Sequence, residues 1–248
     1  MTTSNIHLLV LGAGYDQVCA IKKAAKKGYQ VTAVDKNPDA VGKNAATNFH
    51  LISNRDIDAI DNLIKNYASK DNPINGIFLM GADIPNIAAE LCQRNGLPSI
   101  SIESANIAQN KILMKKTFAT SSIPIPTFHV ISNQDELKAF LKKYKKIVIK
   151  PSDCSGSRGV SLLSLTTPEN VLKSSFKEAY ENSNEKKVLL EEFIEGPQLS
   201  SESIILNEKA ITYGYADRNY ELMEKYAPNI VENGGIQPST KLFHHFNK

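Results

Sequence analysis

The 248-residue sequence has no tryptophan, and its aromatic residues are not interleaved with basic ones in the way that stacks bases of a single strand. Charge of one sign is also scarce. Its 29 basic and 26 acidic residues leave a net charge of +3, too little to mark a nucleic-acid-binding surface. The lysine pairs Lys22-Lys23, Lys26-Lys27 and Lys142-Lys143 fall on predicted helices and read as solvated faces. No run approaches the apolar length of a membrane-spanning helix, so no membrane partner is expected. The start, MTTSNIHLLVLG, lacks the charged and cleavable regions of a signal peptide. Cys19, Cys92 and Cys154 are far apart and form no CxxC or Cys/His spacing. That excludes a disulfide framework or a zinc knuckle and points to a reducing, cytoplasmic setting. No internal repeat is visible.

What is present is a globular composition, 42% apolar and 22% charged, and length for one large or two ordinary domains. Residues 6–11 form a short continuous apolar run, as in a strand covered on both faces. A helix over 16–27 follows, with Val18, Ile21 and Ala25 inward, and Gly28 stops it. Strands are predicted at 30–35 and 76–81, and helices at Asp56–Tyr67 and Ile84–Arg94. Such alternation implies a parallel sheet wrapped by helices. The texture changes near residues 110–125, where Pro124 and Pro126 force an extended segment after a helix over Lys111–Ser121. Beyond it, strands are expected at 127–131, 146–150, 160–165, 187–193 and 201–218. A helix over 133–144 would start from a capping box at Ser132 to Asp135, and another opens at Thr167-Pro168 in N-cap and N1 order. This second half reads as α+β.

Two glycine-bearing segments carry possible chemistry. Gly12-Ala13-Gly14 lies between the first strand and first helix, and Asp35 ends the second strand. This pattern fits the first turn of a dinucleotide-binding unit, but position 17 is Gln where the motif asks for a third Gly or Ala. A plain tight turn explains the same residues, as does contact with an acidic substrate. In the second segment, Ile147-Val148-Ile149-Lys150-Pro151 leads into Ser152-Asp153-Cys154-Ser155-Gly156-Ser157-Arg158-Gly159-Val160. Glycine and serine let backbone N–H groups approach an anion, and Lys150 supplies a compact positive charge. The Walker pattern is absent, and a flexible hairpin loop is the simpler alternative. Downstream, Val188 to Gln198 runs from a strand into Glu191-Glu192-Phe193-Ile194-Glu195-Gly196-Pro197. It can form a hinge that bonds an adenine edge and covers its face, or a strand end with a solvated acidic edge.

Asn110-Lys111 with Ile123-Pro124-Ile125-Pro126-Thr127, the Lys150 loop, and Glu191–Pro197 occur in an order and spacing that resemble the ATP-grasp superfamily, particularly its carbamoyl-phosphate-synthase-like and carboxylate–amine ligase members. Gly12-Ala13-Gly14, Asp35-Lys36-Asn37-Pro38 and Gly81-Ala82-Asp83-Ile84-Pro85 are similar to the Rossmann-like domain that precedes the grasp there. The resemblance implies an α/β fold: a parallel-sheet domain over 1–110, a small lobe over 111–198 and part of a large lobe over 199–248. It implies that Lys111 and Lys150 hold the α- and β-phosphates of ATP, and that Ser155, Gly156, Ser157, Arg158, Gly159 and Val160 fold over the β- and γ-phosphates. Glu191 and Glu192 would flank the adenine, Phe193 and Ile194 would give backbone contacts, and Gln198 would stand where the family has a ribose-binding glutamate. Glu202 matches an acidic position near the substrate side.

The implied chemistry activates a small carboxylate as an acyl phosphate for attack by an amine, with magnesium bridging the phosphates. The family's magnesium ligands lie beyond the hinge. Here Glu232–Ser239 resembles the stretch before them, and no acidic pair follows. His244-His245 reads as a chance terminal pair, since neighbours on a strand point opposite ways. The expectation is therefore an ATP-dependent ligase or a truncated piece of one, completed by a second chain or a homodimer. The alternatives are a nucleotide-binding module without turnover and an NAD(P)-dependent oxidoreductase built on Gly12–Asp35.

Overall fold

The computed structural model describes residues 6–154 and 156–241. Ser155 and the His244-His245 pair therefore lie outside the described residues. The chain divides into two compact units between Thr117 and Phe118.

The first unit holds β1 (His7–Leu11), α1 (Tyr15–Lys26), β2 (Gln30–Asp35), β3 (Asn48–Leu51), α2 (Ile57–Ala68), β4 (Gly76–Phe78), α3 (Pro85–Arg94) and α4 (Ile102–Gln109). Its sheet has the order β3-β2-β1-β4, and every pairing is parallel. The apolar run of β1 is explained by burial on both faces. Leu9 and Leu11 pack with Ile60, Ile64, Ile84 and Leu91 from α2 and α3. Val10 packs on the other side with Ile21 of α1. The inward stripe of α1 is Gln17, Ile21 and Ala24, whereas Ala25 is exposed and Val18 half-buried. A helical turn of 3.6 residues makes that one-position shift a full change of face. β4 is shorter than the predicted strand, because residues after Phe78 turn toward α3. The sequence reading missed β3 and α4. Ser101 caps α4 by accepting from the Ser104 N–H.

Helix α5 (Lys111–Thr120) crosses the division. The second unit then holds β5 (Phe128–Ile131), α6 (Gln134–Tyr144), β6 (Lys146–Pro151), β7 (Ser161–Ser164), α7 (Glu169–Glu181), β8 (Val188–Glu192), β9 (Gln198–Leu206), β10 (Lys209–Asn219) and β11 (Gly234–Ile236). An antiparallel sheet runs β5-β8-β6-β7. Strand β6 alternates strictly. Ile147 and Ile149 are fully buried against Leu137, Leu141, Leu172 and Ala179 of α6 and α7. Lys146, Val148 and Lys150 face the other way. The cap of α6 is Asn133 rather than Ser132: its side-chain oxygen accepts from the Asp135 and Glu136 amides. Pro168 occupies the N-cap of α7 rather than N1, so the helix starts one residue later than expected.

A second sheet, β11-β10-β9, is built on one hairpin. Asn207 and Glu208 both have positive φ, as a two-residue primed turn requires. Ile205 and Tyr213 are 75% and 70% exposed on it. Buried Asp217 ties β10 to the segment that follows β11, accepting from the Ser239 and Thr240 hydroxyls and the Thr240 and Lys241 amides. Burial opposes its ionisation, but those donors outweigh it and hold its carboxyl down at about 2.

Candidate functional site

The two glycine-bearing turns differ in what their backbone donors do. In the first unit, the Ala13 amide donates to the Asp35 carboxylate at 2.8 Å. The Gly14 amide donates to the Gln17 side-chain oxygen at 2.9 Å. Gln17 in turn donates to the Met80 carbonyl. Gly12, at φ +107°, has the Gln17 side chain 3.2 Å from where a Cβ would stand. Gly81 lies so close to Asp16 that a Cβ there would come within 2.6 Å of the Asp16 Cβ. The residue that breaks the dinucleotide motif thus fills the space beside the turn. At the carboxyl ends of β1 and β4, where such sheets bind ligands, Asp35 and Gln17 take the Ala13 and Gly14 amides and Gln17 bridges to Met80.

In the second unit, Lys150 sits at the end of β6, on the sheet face turned away from α6 and α7. Its ammonium lies 2.7 Å from the Glu191 carboxylate of β8, with the two side chains 20% and 9% exposed. The register pairs Val148 with Glu191 and Lys150 with Leu189, so the ion pair is a diagonal one on a single face. Immediately beyond Lys150, the chain turns back into β7. Gly156, Ser157 and Gly159 have φ of +69°, +56° and +68°, and Gly156, Ser157 and Arg158 are exposed. Gly159 is buried, with the Glu178 carbonyl of α7 only 3.1 Å from a would-be Cβ. Val160 is half-buried at the entry to β7.

The hinge is only partly as expected. Glu191 and Glu192 are neighbours on a strand and point to opposite faces. Glu191 meets Lys150, whereas Glu192 accepts from the Thr127 amide at 2.9 Å and donates its own amide to the Thr127 carbonyl. Glu192 is therefore a staple between β8 and the start of β5. The Phe193 amide is likewise bonded to the Lys146 carbonyl, and the Phe193 ring lies under the Lys146 ammonium at 4.3 Å. Ile194 is 60% exposed. Gln198 opens β9 opposite Arg218 and lines a cleft of about 340 Å³ with Phe193, Ile194 and Tyr220. A larger groove of about 750 Å³ adjoins it over Lys146, Leu162 and Ser164, walled by Tyr220 and Met223. Lys111 is the first residue of α5, half-buried and in the first unit. The neighbouring Asn110 side chain accepts from the Ile112 and Leu113 amides.

Residues 109–229 match the family model of the phosphoribosylglycinamide synthetase ATP-grasp (A) domain. ATP-grasp is the superfamily that this match supports, over just under half of the chain. It is 25% identical over 206 residues to the carbamoyl phosphate synthase large chain of Archaeoglobus fulgidus, covering 76% of this chain and 18% of that one. It is 26% identical over 241 residues to the phosphoribosylamine–glycine ligase of Halalkalibacterium halodurans, covering 94% of this chain and 54% of the relative. The structure of N5-carboxyaminoimidazole synthetase from Staphylococcus aureus with ADP superposes with a TM-score of 0.75 at 15% identity, over 98% of this chain and 61% of that one. The chain thus spans less than two thirds of each. The mixed α/β architecture of an ATP-grasp protein, parallel sheet first and antiparallel sheets after, is the architecture described above.

Among the described residues, the sequence reading missed the polar clamps that hold the ATP-grasp elements in place, Asp153 and Asp217. No helix of the described residues is long and apolar enough to cross a membrane.

Proposed function

We propose that the second unit of this ATP-grasp chain holds ATP and that the protein acts in an ATP-dependent carboxylate–amine ligase reaction. The observation that carries this reading is the Lys150–Glu191 pair on the open face of the β5-β8-β6-β7 sheet, at the root of an exposed glycine-serine loop. Glycine and serine in the loop let its backbone approach an anion closely, and Lys150 adds a fixed charge beside it. The adjoining grooves over Lys146, Leu162 and the 193–198 hinge have an apolar floor for a base. Glu191 holds the ammonium in position before a nucleotide arrives, so little reorganisation is needed on binding. Gln198 offers an uncharged hydrogen-bonding group to a ribose. Lys111 enters on the resemblance of its motif.

In this reading Lys150 and the loop amides neutralise charge on the γ-phosphoryl group of ATP, which passes to a substrate carboxylate oxygen to give an acyl phosphate, with ADP as the leaving group. An amine then attacks the carbonyl carbon, forming the amide as inorganic phosphate leaves and the amine gives up a proton to solvent. Among the described residues no three His, Cys, Asp or Glu side chains converge as a metal site.

Titration calorimetry with ATP tests the binding step, and trapping with hydroxylamine tests the chemistry. ATP binding that is lost in Lys150→Ala, with hydroxamate formed from a panel of small acids, is the expected result. ATP binding without any hydroxamate would favour a module that binds nucleotide without turnover, and NAD binding without ATP binding would overturn both. Unchanged ATP affinity in Lys111→Ala would remove Lys111 from the site.

A further inference from the structure

The glycine-serine loop is pinned at both ends to the same place. At its far end, buried Gly159 packs on the Glu178 carbonyl and the Ala179 backbone of α7. At its near end stands Asp153, a residue to which neither the motif nor the resemblance gives a task. Its carboxylate accepts from the Ser152 hydroxyl at 3.0 Å and the Ser183 hydroxyl at 2.8 Å. It also accepts from the Asn184 amide at 3.1 Å and the Glu185 amide at 3.3 Å. The two hydroxyls are buried, with 0% and 1% exposure, and lie 3.0 Å apart. Ser152 and Ser183 are further tied to Lys187, through its carbonyl and its amide. The Ser152–Lys187 bond continues the β6–β8 pairing by one residue, and the carboxylate bonds of Asp153 are additional to that ladder. The set fastens residues 152–153 to the turn that leaves α7.

We infer that Asp153 is a positioning residue for the phosphate loop, fixing residues 156–160 in an anion-ready conformation by anchoring their root to residues 183–185. This rests on the reading of the loop as a phosphate grip. An aspartate suits the task because a carboxylate accepts several bonds at once, and charge-assisted bonds to amides and hydroxyls are among the stronger ones. The same donors hold its carboxyl below the usual range despite partial burial. A loop without the clamp would have to be ordered by the ligand itself, and each residue so ordered weakens binding.

The test has two arms. Hydrogen exchange of amides 156–160 is followed in the ligand-free wild type, Asp153→Ala, Asp153→Asn and Ser183→Ala. Affinities for ATP and for adenosine are measured on the same proteins by calorimetry. Asp153→Ala is expected to speed exchange in the loop and to weaken ATP by about tenfold while leaving adenosine unchanged. Asp153→Asn keeps one acceptor oxygen and should recover most of both effects, and Ser183→Ala should fall between. Loop exchange unchanged by Asp153→Ala, or equal weakening of ATP and adenosine, would overturn the inference. If the wild type bound no ATP, the functional reading would fail instead, and the exchange arm would still decide whether Asp153 holds the loop.

Discussion

Each unit has a glycine-bearing turn after a buried strand, and the two have opposite fates. In Gly12-Ala13-Gly14 the donors are consumed by Asp35 and Gln17, and the neighbouring turn at Gly81 packs onto Asp16. In Gly156–Val160 the clamps lie behind the loop, at Asp153 and Gly159, and the front is exposed. Glycine alone does not distinguish the two, since both turns need positive φ. What distinguishes them among the described residues is that side chains of Asp35 and Gln17 take the amides of the first turn, whereas Gly156, Ser157 and Arg158 of the second are exposed. On the proposed reading, the first turn is scaffold and the second is the one that takes an anion.

That contrast can be broken by substitution, beginning with the glycines of the second turn. Gly159→Ala combines a left-handed φ with crowding against α7, so it should destabilise the second unit by about 2–4 kcal/mol. Gly156→Ala meets only open space and should cost about 1–2 kcal/mol from backbone strain. Denaturant titration of both variants gives the comparison, and equal losses would show that Gly159 is not a packing position.

Next in size is the ion pair. Lys150→Met leaves the Glu191 carboxylate desolvated and should cost about 1–3 kcal/mol. The double variant Lys150→Met/Glu191→Leu should regain most of that stability while ATP binding stays lost. If the double variant were no more stable than the single one, the pair would not be the reason for the loss.

In the first turn, Gln17→Ala removes the bonds to Gly14 and Met80 and should cost about 1–2 kcal/mol. It should leave ATP affinity unchanged and create no affinity for NAD. An NAD-binding Gln17→Ala protein would mean that this one side chain masks a dinucleotide site.

The smallest effect separates the units by pH. Burial lowers the His7 and His50 rings below their ordinary value of 6.5. The fold thus prefers them neutral, whereas the unfolded chain takes up protons first as pH falls. Their contribution is complete above 6.5 and declines below it. In the second unit the perturbed carboxylates Asp153, Glu169, Asp217 and Glu232 all sit below their ordinary values. Their contribution is present above those ordinary values and is lost only as pH falls through the lowered ones, down to about 2 for Asp217. Protection of β1 and β2 amides should therefore decline between pH 7 and 5 while that of β6 and β8 holds. A parallel decline in both units would contradict the assignment.

The alternation of strands and helices was legible because burial leaves a period in the sequence, as in β1, β6 and α6. The ordered motifs at Lys150 and Glu191 were legible for a different reason, their spacing along the chain. Elements with little burial left no such trace. Strand β3 has no fully buried residue and α4 has only Ala105. The α1 face was misread because buried Gln17 is polar, and its partners Gly14 and Met80 cannot be read from helical periodicity. Glu192 was assigned to the hinge as one of a pair, but strand alternation sends it to Thr127. Asp153 and Asp217 were invisible because a turn carboxylate has no periodic signal and its donors lie about twenty to thirty residues away.

The central claim is that nucleotide binds at the second turn and not the first. Hydrogen exchange with and without ATP tests it most directly. The account predicts new protection at residues 156–160 and 191–198 and none at residues 12–17. Protection confined to residues 12–17, or absent from 156–160 at saturating ATP, would contradict it.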